Sequence, residues 1–542
     1  MNLRATVTFG VVALFGTTLL TACGSNSANT TKATHKTVNV QIASSLTTMD
    51  ISKSTDVVSA QTLNNTNEGL LKFGKNSSLT PALAKSWHTA NNGKQYIYNL
   101  RPAKWSNGDE VTAQDFVYSW RRTVDPKTAS QYAYLFDNIQ NATKINAGKL
   151  AVNQLGVHAA GKYKLVVDLN HAQSYFNQLV ANIQFYPQNE RAVKKYGSKY
   201  GTTSQAMVYN GPFKLTGWNG TNDTWTMVKN PSYRAASSVR LNKVKYWTVK
   251  DPQTALSQYE AGKLDITNLS GSQVQQYTKN KDYVLRNSAS TYYLQMNEKK
   301  QPFFKNVKAR QALSLITNRE QFVDKILKNG STVANGVVPT KMQYRDGQDF
   351  ATASADKQMT AYNEAKAKQL WKEALKESGK SSVSFDLLAD DTPIGKNTTE
   401  YLQSQFEKLP GLKITNQNLP FKTRLTREST GNFDMDISAW NADYPDASTF
   451  LDLFTTNNEY NNGKWSNKQY DQLMKTADGA EANDATKRWD TMLQANRLLT
   501  NQAGIVPIYQ QAAPQLVKSN VKGVIYFPTG ANWDYSKAYL TK

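Results

Sequence analysis

Asp434 and Asp436 stand two residues apart in the run Phe433-Asp434-Met435-Asp436-Ile437, and paired carboxylates of this kind can serve as acid and base in glycoside hydrolysis. The alternation with Phe433, Met435 and Ile437 instead predicts an edge or half-exposed strand. The four histidines, His35, His88, His158 and His171, lie at no metal-ligand spacing from one another or from the single cysteine, Cys23, so no metal site is expected. A Gly-x-Ser-x-Gly elbow, a Walker loop and a dinucleotide fingerprint are all missing. Nothing here points to an enzyme or to a cofactor. What the chain does carry is aromatic surface, with 28 tyrosines and 11 tryptophans. Such rings line adaptable binding clefts as well as cores, and the chemistry they offer is binding.

Cys23 ends a short apolar leader. Arg4 is the only charged side chain before it, Phe9 to Leu20 is almost wholly apolar or small, and the run is too short for a comfortable bilayer span. Leu20-Thr21-Ala22-Cys23 resembles a bacterial lipobox, which predicts a signal peptide over 1–22, lipid on Cys23 and a mature chain that starts there. A lipidated Cys23 leaves no thiol for a disulfide, a metal or a nucleophile. Residues 23–36 are nearly all Ser, Thr, Asn, Ala, Gly and Lys, too polar to offset their ordering entropy, and read as a flexible tether. The remaining chain, roughly 500 residues, exceeds the size at which single cores stop growing, so two or three domains are expected. The net charge of +22 favours polyanions. Its lysines and arginines are scattered with no stripe interleaved with aromatics, so nucleic acid is not an expected partner. For an exported chain the nearer polyanions are cell-wall polymers and lipid headgroups.

The elements that must position a binding site alternate strand with helix. Thr37 to Ala43 and Tyr96 to Arg101 read as strands. Thr112-Ala113-Gln114-Asp115 fits a capping box opening a helix with Phe116, Val117 and Trp120 on one face, and with Arg121 and Arg122 in a solvated last turn. Strands are predicted over Phe213 to Trp218, Trp225 to Lys229, Lys243 to Val249 and Val383 to Leu387. Helices are predicted around Ala309 to Ile316 and over Asn363 to Glu377, the second stopped by Gly379. The fold class is therefore α/β with more than one lobe.

Pro81-Ala82-Leu83-Ala84-Lys85-Ser86-Trp87, the run Lys104 to Arg122, Asn210-Gly211-Pro212-Phe213-Lys214-Leu215, Tyr259 to Asp265, Val307 to Ser314 and Ile505-Val506-Pro507-Ile508-Tyr509 together resemble extracellular solute-binding family 5. That family includes the oligopeptide- and dipeptide-binding lipoproteins of ABC importers. The resemblance implies a two-lobed periplasmic-binding-protein-like fold with three domains. Domain I is placed at 37–69, 209–296 and 504–542, domain II at 70–208 and domain III at 297–503, with ligand enclosed between I and III. Hinge closure around ligand is a recognised motion, and periplasmic binding proteins are among its named cases.

The resemblance also assigns a site. Ala439-Trp440-Asn441-Ala442-Asp443-Tyr444 matches the family motif whose aspartate receives a peptide's α-ammonium group, which gives that role to Asp443. Ala439, Asn441 and the segment Thr55, Asp56, Val57, Val58 are expected to offer groups to the peptide main chain, a form of strand addition. Trp440 and Phe421 wall side-chain pockets, and Tyr444 belongs to the same set. One position departs from the family pattern: Ile437 stands where an arginine helps to receive a short peptide's C-terminal carboxylate, and Arg424 and Arg427 are the nearby substitutes. The implied protein is a lipid-anchored monomer on the extracellular face of the membrane that passes oligopeptides to an ABC permease. Its rivals are a signalling-peptide receptor or adhesin on the same fold, and a binder of a non-peptide solute.

Overall fold

The computed structural model describes residues 36–541, and the leader, Cys23 and the tether through His35 lie outside them. The described chain enters through β1 (Thr37–Ile42) and α1 (Val57–Thr66). Asp56 caps α1, its carboxylate accepting from the Ser59 amide at 2.9 Å, which satisfies one of the donors that a helix start leaves unpaired. An antiparallel sheet follows, built of β2 (Ala84–Ala90), β3 (Gln95–Leu100), β4 (Val157–Ala159) and β5 (Lys164–Asp168) in the order β2-β3-β5-β4.

Between β3 and β4 runs α2 (Ala113–Val124), started by the expected capping box, in which the Thr112 amide donates to Asp115 at 2.8 Å. Phe116, Val117 and Trp120 are buried along one face. The last turn differs from expectation. Arg122 is not solvated but grips Asp50 with two N···O contacts of 2.7 Å. Bidentate pairing with a carboxylate from a distant segment outweighs interaction with the helix dipole.

The large sheet gathers β6 (Phe213–Thr216), β7 (Thr224–Lys229), β8 (Lys243–Thr248), β9 (Ile266–Asn268), β10 (Tyr283–Met296), β11 (Val383–Asp390), β12 (Leu412–Leu419), β13 (Met435–Asn441) and β14 (Val506–Val517). With β1 they lie in the order β12-β11-β13-β10-β14-β9-β1-β8-β7-β6. The long antiparallel pair β10 and β14 runs through the middle, with register shifts between Asn287 and Thr291 and between Tyr292 and Tyr293. A bulge of this kind bends a strand and raises its local twist.

Helices α3 (Val307–Ile316), α4 (Glu364–Glu377), α5 (Pro393–Phe406) and α6 (Phe421–Ser429) accompany the β11 to β13 side. Asn363 caps α4 and Gly379, at φ +63°, follows its end, as the sequence predicts. Trp371, Phe303, Phe304, Phe385 and Met435 form the core under that side.

The strand containing Asp436 is neither an edge nor half-exposed. β13 pairs with β10 on one flank and β11 on the other, and Asp436 is fully buried while Asp434 is 7% exposed. The polar side of the alternation faces other protein groups rather than water. Asp434 accepts from Gln301 at 2.9 Å and pairs with Lys300 at 3.0 Å, whereas Asp436 meets Gln295 and Arg424. The two acids are committed to separate structural partners.

Candidate functional site

The C-terminal end of β13, the middle of β10, the start of α6 and the start of α1 converge on a cavity of ≈ 200 Å³. Eight of the ten expected binding residues border it: Thr55, Asp56 and Val57 from the α1 entry, Phe421 from α6, and Ala439, Trp440, Asn441 and Asp443 from β13 and its extension. Val58 and Tyr444 do not. Val58 is buried in the core beneath α1. Tyr444 points the other way, stacks on Tyr175 with centroids 6.0 Å apart, and borders a separate cavity of ≈ 540 Å³. Each is the chain neighbour of a bordering residue, and successive side chains on a helix or an extended segment leave in different directions.

Asp443 is 8% exposed. The Tyr132 hydroxyl donates to its Oδ1 at 3.2 Å, and the backbone amide donates to Thr449 at 3.0 Å. Its Oδ2 is buried without a hydrogen-bond partner, and no cation lies within ion-pair distance among the described residues. Burial pushes this carboxyl up to about 7, offset only in part by Tyr132 and by the nearby Asn182 amide, which donates to the Asp443 backbone carbonyl at 3.4 Å. A buried carboxylate left in this way is costly unless a cation arrives.

The neighbouring aromatic wall is tight. The Trp440 ring meets Tyr460 edge-on at 4.7 Å, and Tyr460 meets Tyr132 at 5.2 Å. The Trp440 indole N–H is buried without a partner, and aromatic N–H groups in such a place usually find one. Asp56 differs from Asp443. It accepts from the Thr47 hydroxyl at 2.5 Å, the Ser59 hydroxyl at 2.7 Å and the Ser59 amide, so its carboxylate is spent on holding α1. Asn441 is likewise engaged, donating to the Gly530 carbonyl at 3.0 Å and accepting from Ser288 at 3.1 Å.

Near Ile437 the cavity wall is formed by Arg424, only 6% exposed. Its guanidinium is held by Asp390 at 2.7 Å, Glu428 at 2.9 Å and Asp436 at 3.4 Å. Gln295 donates to both Glu428 and Asp436, and the Ser438 hydroxyl donates to Glu428. Burial, with the Glu428 charge beside it, holds the Asp436 carboxyl well above the usual range despite Arg424. Arg427 is elsewhere, donating to the Asn432 carbonyl at 2.9 Å. Ile437 itself borders the cavity as apolar surface.

Sequence reasoning missed Tyr132, Asn182, Tyr292 and the turn Gly530 to Asn532, which also border the cavity. Tyr132 meets Asp443 across 311 residues of sequence, a separation no local pattern bridges. Only the high aromatic content hinted at it. Four acids border the larger cavity beside Tyr444: Asp471 accepts from Thr456 and Asp478 from Tyr175 and Arg488, while burial raises the Asp137 carboxyl to about 7 and that of Asp452 well above its usual range. The smaller one is the better candidate because eight of the ten expected residues border it, Asp443 with its unpartnered oxygen among them.

Comparison with known proteins agrees on family and fold. The profile of bacterial extracellular solute-binding proteins, family 5 middle, matches residues 78–462. A dipeptide-binding protein of Lactococcus lactis subsp. cremoris is 36% identical over 98% of each chain. Peptide-bound OppA of Listeria monocytogenes superposes with a TM-score of 0.90 at 37% identity, covering 94% of this chain and all of that one. The pheromone receptor PrgZ superposes at 0.89 with 35% identity over 94% of this chain and all of that one. The Escherichia coli murein tripeptide-binding protein MppA gives a TM-score of 0.85, but an unliganded open form of MppA gives 0.61.

Proposed function

The chain belongs to the bacterial extracellular solute-binding proteins of family 5, and on that premise we propose that it captures oligopeptides outside the cell and delivers them to an ABC permease. The observation that carries this reading is Asp443: a buried carboxylate with an unpartnered oxygen, on the wall of a cavity, awaits a cation such as a peptide α-ammonium group. Main-chain groups at Ala439, Asn441 and Thr55 to Val57 would hold the peptide backbone without reading its sequence, while Trp440 and Phe421 wall the side-chain pockets. The protein works as a monomer that catalyses nothing.

In this reading domains I and III, at the boundaries drawn above, close over the ligand about the crossing strands β10 and β14. The low similarity to the open form of MppA supports a closed arrangement here. Lipid on Cys23 would tether the body to the outer face of the membrane. Cys23→Ala should then release the protein from the membrane fraction. A variant still carrying a labelled acyl chain would rule the anchor out.

The decisive experiment is mass spectrometry of ligand retained by the purified protein. A mixture of peptides supports transport. One defined peptide supports a signalling-peptide receptor, the reading that the likeness to PrgZ favours. A bound non-peptide solute overturns both.

A further inference from the structure

Arg286, on β10, is the opposite of Arg424. Among the described residues no carboxylate lies within ion-pair distance of it, none of its N–H groups has a hydrogen-bond partner, and its Nε is buried. Burial accordingly lowers its pKa, with only tyrosines nearby to offset the effect. Its guanidinium carbon lies 5.1 Å from the Tyr526 ring centroid and 5.2 Å from that of Trp533. Stacking on two rings fixes the plane of a guanidinium while leaving its N–H edge free to donate.

That side chain borders a cavity of ≈ 340 Å³ separate from the one at Asp443. Lys341 borders it too, as do the hydroxyl-bearing residues Ser77, Ser288, Thr340 and Thr529, and no acidic residue does. The Ser288 and Thr340 hydroxyls donate to Asn441 and Gln510, and Ser77 and Thr529 bond each other, so what the cavity presents to a ligand is two cations with no internal counter-charge. Its walls come from separate stretches of the chain: β10, the turn before Gly530, residues 340–342, Pro445 and Ser77. Ser288 borders both cavities.

We propose that this cavity is a second binding site, for a small oxyanion of the phosphate or carboxylate class, received by Arg286 and Lys341, which border it from separate stretches of the chain. Guanidinium groups match the geometry of such anions with paired N–H donors. On the domain reading proposed above, Arg286 belongs to domain I and Lys341 to domain III, so an anion between them favours the closed form. Anion and peptide then strengthen each other's binding by the same factor.

The test is titration of the full protein with inorganic phosphate and, separately, acetate, against chloride at matched ionic strength, followed by melting temperature and by calorimetry. Phosphate or acetate should raise the melting temperature in a saturable way and tighten peptide binding a few-fold. Arg286→Gln should lower the anion's affinity at least tenfold and abolish its effect on peptide binding, while peptide still binds in chloride. Lys341→Gln, in an exposed turn, provides a second variant that leaves the core untouched and should weaken the anion several-fold. Anion effects equal to the chloride control, or unchanged in both variants, would overturn the proposal. Loss of peptide binding in chloride for the unaltered protein would instead count against the peptide-binding reading, so the two failures are separable.

Discussion

Near one end of the cavity Asp443 is a buried carboxylate with one side-chain hydrogen bond and no cation among the described residues, and near Ile437 Arg424 is a buried guanidinium gripped by three carboxylates. Ile437 and Asp443 are six residues apart, which is at most about 20 Å of extended chain. Breaking a buried charge pair by removing one partner is far more costly than never having built it. The Arg424 cluster is internally complete, and a ligand carboxylate could engage it only by displacing an existing partner. The Asp443 wall is incomplete, and a ligand cation would complete it. The difference separates a charge that holds the fold from a charge that holds the ligand.

The hardest test of that division is Arg424→Met. It leaves Asp390, Glu428 and Asp436 without their shared cation, and the expected loss is about 3–5 kcal/mol of folding stability. The three carboxylates can then relieve themselves only by taking up protons. The deficit measured by urea unfolding should therefore be larger at pH 8 than at pH 5. A loss under about 1 kcal/mol would mean that Arg424 is not committed to these acids and is free to serve a ligand.

Asp443→Asn should do the reverse. Peptide affinity falls by an amount worth roughly 2–5 kcal/mol, tens-fold to several thousand-fold, while the peptide-free protein becomes more stable. The sign follows from the carboxyl raised from 3.8 to about 7: the folded state holds this proton more tightly than the unfolded chain, so the group subtracts stability as pH rises through that window. The gain from Asn should be full above pH 7 and fade towards pH 4. In the unaltered protein, peptide affinity should fall below about pH 7, where binding a cation must first expel that proton. Calorimetry between pH 5.5 and 8 measures this directly, and a flat profile would remove Asp443 from the role of ammonium acceptor.

Much of the scaffold behind these two regions was legible in local sequence. The box Thr112/Asp115, the cap at Asn363 with the stop at Gly379, and the period-2 runs at β1 and β3 all report on neighbours a few residues away, and the structure forms each of them. What stayed hidden depends on partners far along the chain. Asp436 looked like the exposed side of an edge strand because alternation reports polarity, and buried polarity matched by Arg424 and Gln295 gives the same pattern as solvation. Arg122 looked solvated because Asp50 lies 72 residues upstream. Tyr132, the hydrogen-bond donor to Asp443, could not be found from either residue's surroundings.

The finest probe of the comparison uses the ligand rather than the protein. One peptide in four end-capped forms tests the ammonium and the carboxylate independently. Acetylating the α-amine removes the cation that Asp443 awaits and should cost about 2–5 kcal/mol. Amidating the C-terminus should cost about 1 kcal/mol or less, the value of a solvated contact, because Ile437 is apolar, Arg427 is turned to Asn432 and Arg424 has no carboxylate vacancy. Around Arg424 the acids outnumber the single cation, so a peptide carboxylate gains little there and the cost of amidation stays small. Calorimetry on the four forms at pH 7.5 gives both differences and their coupling. If amidation weakened binding as strongly as acetylation does, Arg424 would have to be exchanging Asp390 or Glu428 for the ligand, and the contrast between a completed and an uncompleted charge would fail at the end where it is now best satisfied.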